Sequence, residues 1–92
     1  MVQISISQKT CIDIYETDAF YADIFLFDTQ YKIGPEYDLA ALNKNVLDYL
    51  YEFGRGARIK DSEKLELRAL ENTLLNCQLE EDAFYSDSVS II

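Results

Sequence analysis

The chain has 92 residues and a formal net charge of −9, from 17 acidic and 8 basic side chains. It contains no histidine, so it lacks the commonest general base and the commonest transition-metal ligand. A hydrophobic fraction of 49% argues against a disordered chain, and this length fits a single domain over residues 1–92. We find neither a membrane-length apolar run nor a signal-peptide pattern, so we expect a soluble cytoplasmic protein.

The first third of the chain has the alternation of apolar and polar residues that is typical of half-buried strands. Residues 2–7 and 12–15 alternate in this way, and a turn is expected at 16–19. Residues 20–28 carry apolar side chains on both faces, which favours a central strand or one covered on both sides. Residues 31–33 either extend this sheet or cross over to the helices.

A helical pattern begins near the only proline. Pro35 suits the first turn of a helix, and Asp38 is an alternative cap. Gly54 is expected to end the helix in a left-handed conformation. Between these limits, six residues at helical spacing form an apolar stripe: Leu39, Leu42, Val46, Tyr49, Leu50 and Phe53.

A second helix is expected to start at a cap supplied by Asp61 or Ser62 and to run to about Leu79. Its apolar stripe is Leu67, Leu70, Leu74 and Cys77. In the tail, Val89 and Ile91 alternate with serine and predict a last strand. This order predicts an α+β fold in which a two-helix hairpin packs on one face of a small antiparallel β-sheet.

No residue pattern indicates catalysis, a cofactor or a metal site, so we expect a protein that is not an enzyme. Gly54-Arg55-Gly56 is a bare GxG that follows a predicted helix, whereas nucleotide-binding glycine loops follow strands. Cys11 and Cys77 form no CxxC pair and are expected to be small buried hydrophobes. An acidic run lacks the spacing and the glycine of a calcium loop and fits a hairpin turn: Asp13, Glu16 and Asp18.

The charge is distributed unevenly along the chain. Residues 1–52 carry nine acids and three lysines, residues 53–70 five basic and three acidic side chains, and residues 71–92 five acids alone. We therefore take two sets as candidates for partner contacts. The acidic set with its neighbouring tyrosine is Asp13, Glu16, Asp18, Asp48, Tyr51 and Glu52, and the basic set is Arg55, Arg58, Lys60, Lys64 and Arg68.

In its size, its charge, its lack of catalytic residues and its α+β pattern, the whole chain resembles small acidic phage-encoded inhibitors of host defence. This class, which includes anti-CRISPR proteins and DNA mimics, shares no sequence motif. The resemblance implies an inhibitor in the host-cell cytoplasm that binds a basic nucleic-acid-binding protein, such as a CRISPR effector subunit, and blocks binding of the target nucleic acid. The basic residues 55–68 depart from a pure mimic, and the resemblance implies that they contact guide RNA or an acidic subunit surface.

Two other functions are compatible with the same residues. The chain can be a small structural or regulatory protein-binding module, for example a homodimer, whose acidity serves only solubility. It can also be a nucleic-acid-binding module that uses the basic set, although a net charge of −9 opposes that function. Residues 52–64 are then either the turn between two helices or a second contact surface, and the sequence leaves both open.

Overall fold

Four consecutive strands form an antiparallel meander, and two helices and a fifth strand follow. The structure is a computed structural model that describes residues 2–56, 58–76 and 89–91, the last as backbone alone. The sheet order is β4-β3-β2-β1-β5, with β5 parallel to β1. The elements are β1 Val2–Ser7, β2 Thr10–Glu16, β3 Phe20–Leu26, β4 Thr29–Glu36, α1 Leu39–Gly56, α2 Asp61–Asn76 and β5 Val89–Ile91.

One face of the sheet supplies half of the hydrophobic core. Ile4, Ile12 and Ile24 lie side by side on β1, β2 and β3, and all three are fully buried. The alternate residues of these strands point to the opposite face of the sheet, which we call the open face. The predicted α+β architecture is confirmed. Of the two alternatives for residues 20–28, the structure agrees with the first in that β3 is an interior strand, paired with β2 and β4.

The two helices supply the other half of the core. Leu42, Val46 and Leu50 of α1 are fully buried, as are Leu70 and Leu74 of α2. Burying each of these side chains stabilises the fold by roughly 1.5–3 kcal/mol relative to an exposed position. The predicted apolar stripes are therefore confirmed over the described part of both helices. Cys77 and the predicted end of α2 near Leu79 lie outside the described residues.

The prediction that Pro35 opens the first helix is wrong. Pro35 belongs to β4, an outer strand of the sheet, where a residue without an N–H is tolerated. Gly34 allows this strand to pack closely, because a Cβ there would lie 2.7 Å from Tyr21 Cδ1 and its φ is +128°. The alternative cap is the observed one, since the Asp38 carboxylate accepts a hydrogen bond from the Ala40 N–H at 3.2 Å.

The helix junction also differs from the prediction. Gly54 does not end α1, which continues to Gly56, and Gly54 has no positive φ. Its lack of a side chain serves helix packing instead, because a Cβ at this position would lie 3.2 Å from Leu67 Cδ2 of α2.

The cap of the second helix precedes both predicted cap residues. Asp61 is already the first residue of α2, so neither Asp61 nor Ser62 occupies the cap position. Lys60 occupies it, and its backbone N–H donates to Glu63 Oε1 at 2.9 Å. This contact is the carboxylate half of a capping box.

The last predicted strand is present as β5, whose Val89 pairs with Val2 of β1. Neither helix, over the ranges that the structure describes, is long and apolar enough to cross a membrane.

Candidate functional site

The meander separates charged residues into two ends of the molecule. The β1–β2 and β3–β4 turns lie at one end of the sheet, and the β2–β3 turn and the β4–α1 junction lie at the other. A seven-residue strand places these ends about 20 Å apart. We call the second of them the acidic end, and it carries Glu16, Asp18, Glu36 and Asp38.

The strand register brings the acidic end together. Glu16 pairs with Phe20, and Phe20 pairs with Glu36, so the two glutamates lie in one row across three strands. Asp18 lies in the exposed turn beside this row. Glu36 accepts a hydrogen bond from Asn45 Nδ2 of α1 at 2.7 Å, which orients its carboxylate.

Next to the acidic end, the open face carries a cluster of two tyrosines, two carboxylates and one lysine. Tyr15 and Tyr21 stack with ring centroids 5.7 Å apart. The Tyr21 hydroxyl donates to Asp18 Oδ1 at 2.8 Å, and the Tyr15 hydroxyl donates to Asp23 Oδ1 at 3.4 Å. Lys32 Nζ lies 5.0 Å from the Tyr21 ring centroid and 5.7 Å from that of Tyr15. We call these five residues the tyrosine–carboxylate cluster.

Hydrogen bonding in this cluster favours charged groups. The Tyr21 hydroxyl, followed by that of Thr17, lowers the pKa of Asp18, because both donate to the ionised carboxylate. The same hydrogen bond raises the pKa of Tyr21. The pKa of Lys32 is raised by its contact with the Tyr15 hydroxyl and by the nearby Asp23 carboxylate. The cluster therefore holds a fixed negative charge at Asp18 and a fixed positive charge at Lys32.

Asp13 lies on the open face beside this cluster, in an electrostatically unfavourable place. It pairs directly with Asp23 across β2 and β3, while Lys32 faces Asp23 from β4. The Asp13 Oδ1 atom is buried and has no hydrogen-bond partner among the described residues. Like charges in directly opposite positions destabilise a sheet, so Asp13 is not explained by stability.

The other three members of the predicted acidic set lie on the first helix. Asp48, Tyr51 and Glu52 are exposed on α1, in the helical layer, and the sheet separates them from the open face. Glu52 forms an exposed ion pair with Arg55 at 3.6 Å, a type of contact that stabilises little. The structure thus brings together Glu16 and Asp18, with Asp13 nearby, but it does not join them to the acidic residues of α1.

The predicted basic residues gather around the helix hairpin. Tyr51 and Arg55 of α1 face Lys64 and Arg68 of α2 across a groove of about 360 Å³. We call it the basic groove. Its lining is completed by Gly54, Ile59, Leu67 and Glu71.

A second cavity of about 440 Å³ adjoins the β1–β2 turn, and the two remaining predicted basic residues, Arg58 and Lys60, line it. Lys9 also lines this cavity, and sequence reasoning did not select it. The sequence could have predicted this position of Lys9. Consecutive turns of a meander alternate between the two ends of the sheet, so Lys9 in the first turn lies at the same end as the third turn at 27–28. Asp28 and Glu63 partly balance these cations.

Of the tyrosine–carboxylate cluster, the sequence predicted only Asp18 as a site residue and missed the other four members, Tyr15, Tyr21, Asp23 and Lys32. Tyr21, Asp23 and Lys32 become neighbours of Tyr15 only through the register of β2, β3 and β4. A turn at 16–19 predicts that Tyr15 faces Tyr21, so the sequence was sufficient to predict the tyrosine pair. The position of Lys32 could not be predicted, because β4 has no clear apolar alternation.

Two observations on the described residues concern metal binding and the reactivity of Cys11. Within them, no three acidic or cysteine side chains come together in a way that could hold a metal ion. Burial, together with the negative charge of Asp13, raises the pKa of the Cys11 thiol and so makes it a poorer nucleophile at neutral pH.

Comparison with known proteins assigns the chain to no family. No protein-family model matches it, and neither does any curated protein or solved structure.

Proposed function

We propose that this protein is a non-enzymatic inhibitor that binds a basic, nucleic-acid-binding protein and blocks the site where that partner binds nucleic acid. The observation that supports this proposal best is the tyrosine–carboxylate cluster beside the acidic end. Asp18 is held by the Tyr21 hydroxyl at 2.8 Å and Glu36 by the Asn45 amide at 2.7 Å. Both donors are neutral, so the carboxylates are oriented while their charge is retained.

Oriented carboxylates suit a surface that grips lysine and arginine. Carboxylates that are already positioned lose less conformational entropy when a partner binds, and charge-assisted hydrogen bonds are stronger than neutral ones. Tyr15 and Tyr21 add contact area with few rotatable bonds, and tyrosine is enriched among the residues that dominate interface energies. Phosphate-binding surfaces are rich in the same basic side chains, so such a surface competes with nucleic acid.

The partner class follows from the resemblance to phage-encoded defence inhibitors. We propose a CRISPR effector subunit, or another nucleic-acid-binding protein, in the cytoplasm of the host cell. In a complex with a CRISPR effector, the basic set around the helix hairpin makes at most a minor contact with guide RNA. The surfaces proposed for protein contact are the acidic end and the tyrosine–carboxylate cluster, with Asp13.

The test starts from affinity capture in a bacterium with an active defence system. The captured protein is purified, and its binding to target DNA is measured with increasing amounts of the inhibitor. We expect inhibition by the parent protein and weaker inhibition by Asp18→Asn. Asp28→Asn is the matched control, because Asp28 is also an exposed turn aspartate but lies at the opposite end of the sheet.

Two results would exclude the proposal. The first is that capture enriches no nucleic-acid-binding protein. The second is that Asp18→Asn and Asp28→Asn inhibit DNA binding equally well, since the acidic end would then have no special role.

A second candidate function is a homodimeric regulatory module, and the geometry of β4 favours it. Within the described residues, β4 pairs with β3 alone and forms an edge of the sheet. Residues 29–33 precede Pro35 and present an edge that can pair with a second strand. Sedimentation equilibrium tests this candidate: a monomer at micromolar concentration would exclude it, and a dimer that Gln30→Pro dissociates would support it.

A further inference from the structure

We propose that the basic groove is a binding site for an acidic amphipathic segment of a partner protein. The groove lies between α1 and α2, on the outer side of the helical layer, and shares no residue with the acidic end. The inference therefore stands independently of the function proposed above. Its support is the combination of an apolar floor, cationic walls and weakly paired cations.

The floor of the groove is apolar because the two helices approach closely there. Gly54 lies against Leu67 across the helix interface, and Ile59 closes the end nearest the junction. Leu67 is almost fully buried, and Ile59 is half-buried. A volume of about 360 Å³ is at the lower end of the range for ligand pockets, so it suits one or two apolar side chains of a larger partner.

Two of the three cations on the walls of the groove are only loosely paired, whereas Arg68 lies near the Glu71 carboxylate of the same groove. Arg55 lies 3.6 Å from Glu52, and Lys64 lies 4.0 Å from Asp61. Charge-assisted hydrogen bonds are typically about 2.7–2.9 Å long, so neither contact is a tight one. These carboxylates are more than half exposed. An incoming carboxylate can therefore replace them at small cost.

The groove wall on α2 continues as a stripe. Lys64, Arg68 and Leu75 lie on the same side of the helix, because they are four and seven residues apart. Leu75 is 57% exposed, and Glu71 lies between Arg68 and Leu75 on this side of the helix. The surface thus presents an apolar contact beyond the cations as well as between the helices.

This combination fits an acidic amphipathic segment better than a nucleic acid. The floor is aliphatic, and Tyr51 is the one aromatic side chain among the described residues that line the groove. Proteins that bind single strands commonly stack several bases on aromatic side chains. The net charge of −9 also repels a polyanion at long range. A helix with leucines on one face and glutamates beside them can place leucines on the floor and carboxylates against the walls.

The experiment uses fluorescence anisotropy with the full chain and a labelled synthetic peptide of about 12 residues. In this peptide, leucines at i, i+4 and i+7 are surrounded by glutamates. We expect binding that weakens as salt is raised, and binding about fivefold or more weaker in Arg68→Glu. Lys44→Glu is the matched control, because Lys44 is exposed on α1 and does not line the groove, and it should bind within twofold of the parent.

Circular dichroism establishes that both variants are folded before binding is compared. A single-stranded RNA of similar length and charge serves as the competing probe. RNA binding as tight as peptide binding would overturn the proposal. So would a parent protein that does not bind the peptide, or equal peptide binding by Arg68→Glu and Lys44→Glu. Self-association of the protein without peptide, abolished by Arg68→Glu, would also overturn it, because the occupant would then be a second copy of the chain.

Discussion

The acidic end and the basic groove hold their charges in different ways. At the acidic end, Asp18 and Glu36 accept hydrogen bonds of 2.8 and 2.7 Å from a hydroxyl and an amide. In the groove, Arg55 and Lys64 face carboxylates at 3.6 and 4.0 Å. A neutral donor fixes a carboxylate without cancelling its charge, whereas a loose ion pair reduces the charge without fixing its position.

This difference suggests different binding behaviour. The acidic end is prepared for a partner of defined geometry, since its carboxylates already have fixed orientations. The basic groove is adaptable, because its long cationic side chains can rearrange around several acidic ligands. Changes that disturb one surface without the other can test the comparison.

The largest expected effect comes from Leu67, which links the groove floor to the core. Leu67→Ala removes a side chain that is 4% exposed and should lower the free energy of unfolding by about 2–5 kcal/mol. Urea denaturation measures this loss. Leu75→Ala on the same helix is the matched control, because Leu75 is 57% exposed, and it should change stability by at most about 0.5 kcal/mol.

The Leu67→Ala variant also sharpens the comparison of the two surfaces. Under conditions where Leu67→Ala remains folded, it should weaken binding of the acidic peptide, while binding through the acidic end stays at the parent level. Equal losses at both surfaces would contradict the view that the surfaces are independent.

A smaller and opposite effect is expected at Asp13. Asp13→Asn removes one of two like charges that face each other across β2 and β3, so it should raise the free energy of unfolding by roughly 0.2–1 kcal/mol. Thermal and urea denaturation at neutral pH measure the change, with Asp28→Asn as an exposed control. A loss of stability would show that the Asp13 carboxylate has a favourable partner in the folded protein.

The apolar stripes of the helices were more predictable than the fourth strand of the sheet. The 3.6-residue period of the apolar stripe on α1 is independent of neighbouring strands, and Leu42, Val46 and Leu50 are buried as that period required. β4 was less predictable, because most of its side chains are exposed and its strand conformation depends on pairing with β3. Pro35 was therefore assigned to a helix that begins four residues later.

The candidate surfaces were predictable to the extent that charge is clustered in sequence. The basic groove draws Arg55, Lys64 and Arg68 from one short segment, so the sequence showed that these cations are clustered but not that they line a groove. The tyrosine–carboxylate cluster draws on three strands, and only their register places Lys32 beside Asp23. Similarly, Asp48 and Asp18 are both acidic but lie in different layers, which no count of charges reveals.

The smallest expected effect isolates one hydrogen bond at the acidic end. The Tyr21 hydroxyl is the main cause of the lowered pKa of Asp18, so Tyr21→Phe should raise that pKa toward its ordinary value. A lowered pKa in the folded state stabilises the fold above the ordinary pKa, and this contribution is lost as pH falls through the folded-state pKa. In Tyr21→Phe, the free energy of unfolding should therefore fall less steeply than in the parent as the pH is lowered through this range.

Titration of the side-chain carboxyl carbon of Asp18 by NMR measures this change directly. Tyr15→Phe is the matched control, since the Tyr15 hydroxyl donates to Asp23, and it should leave the Asp18 titration at its parent position. If Tyr21→Phe left the Asp18 titration at its parent position, the Tyr21 hydroxyl would not be the cause of the lowered pKa. The contrast between the acidic end and the loosely paired groove would then rest on the Glu36–Asn45 contact alone.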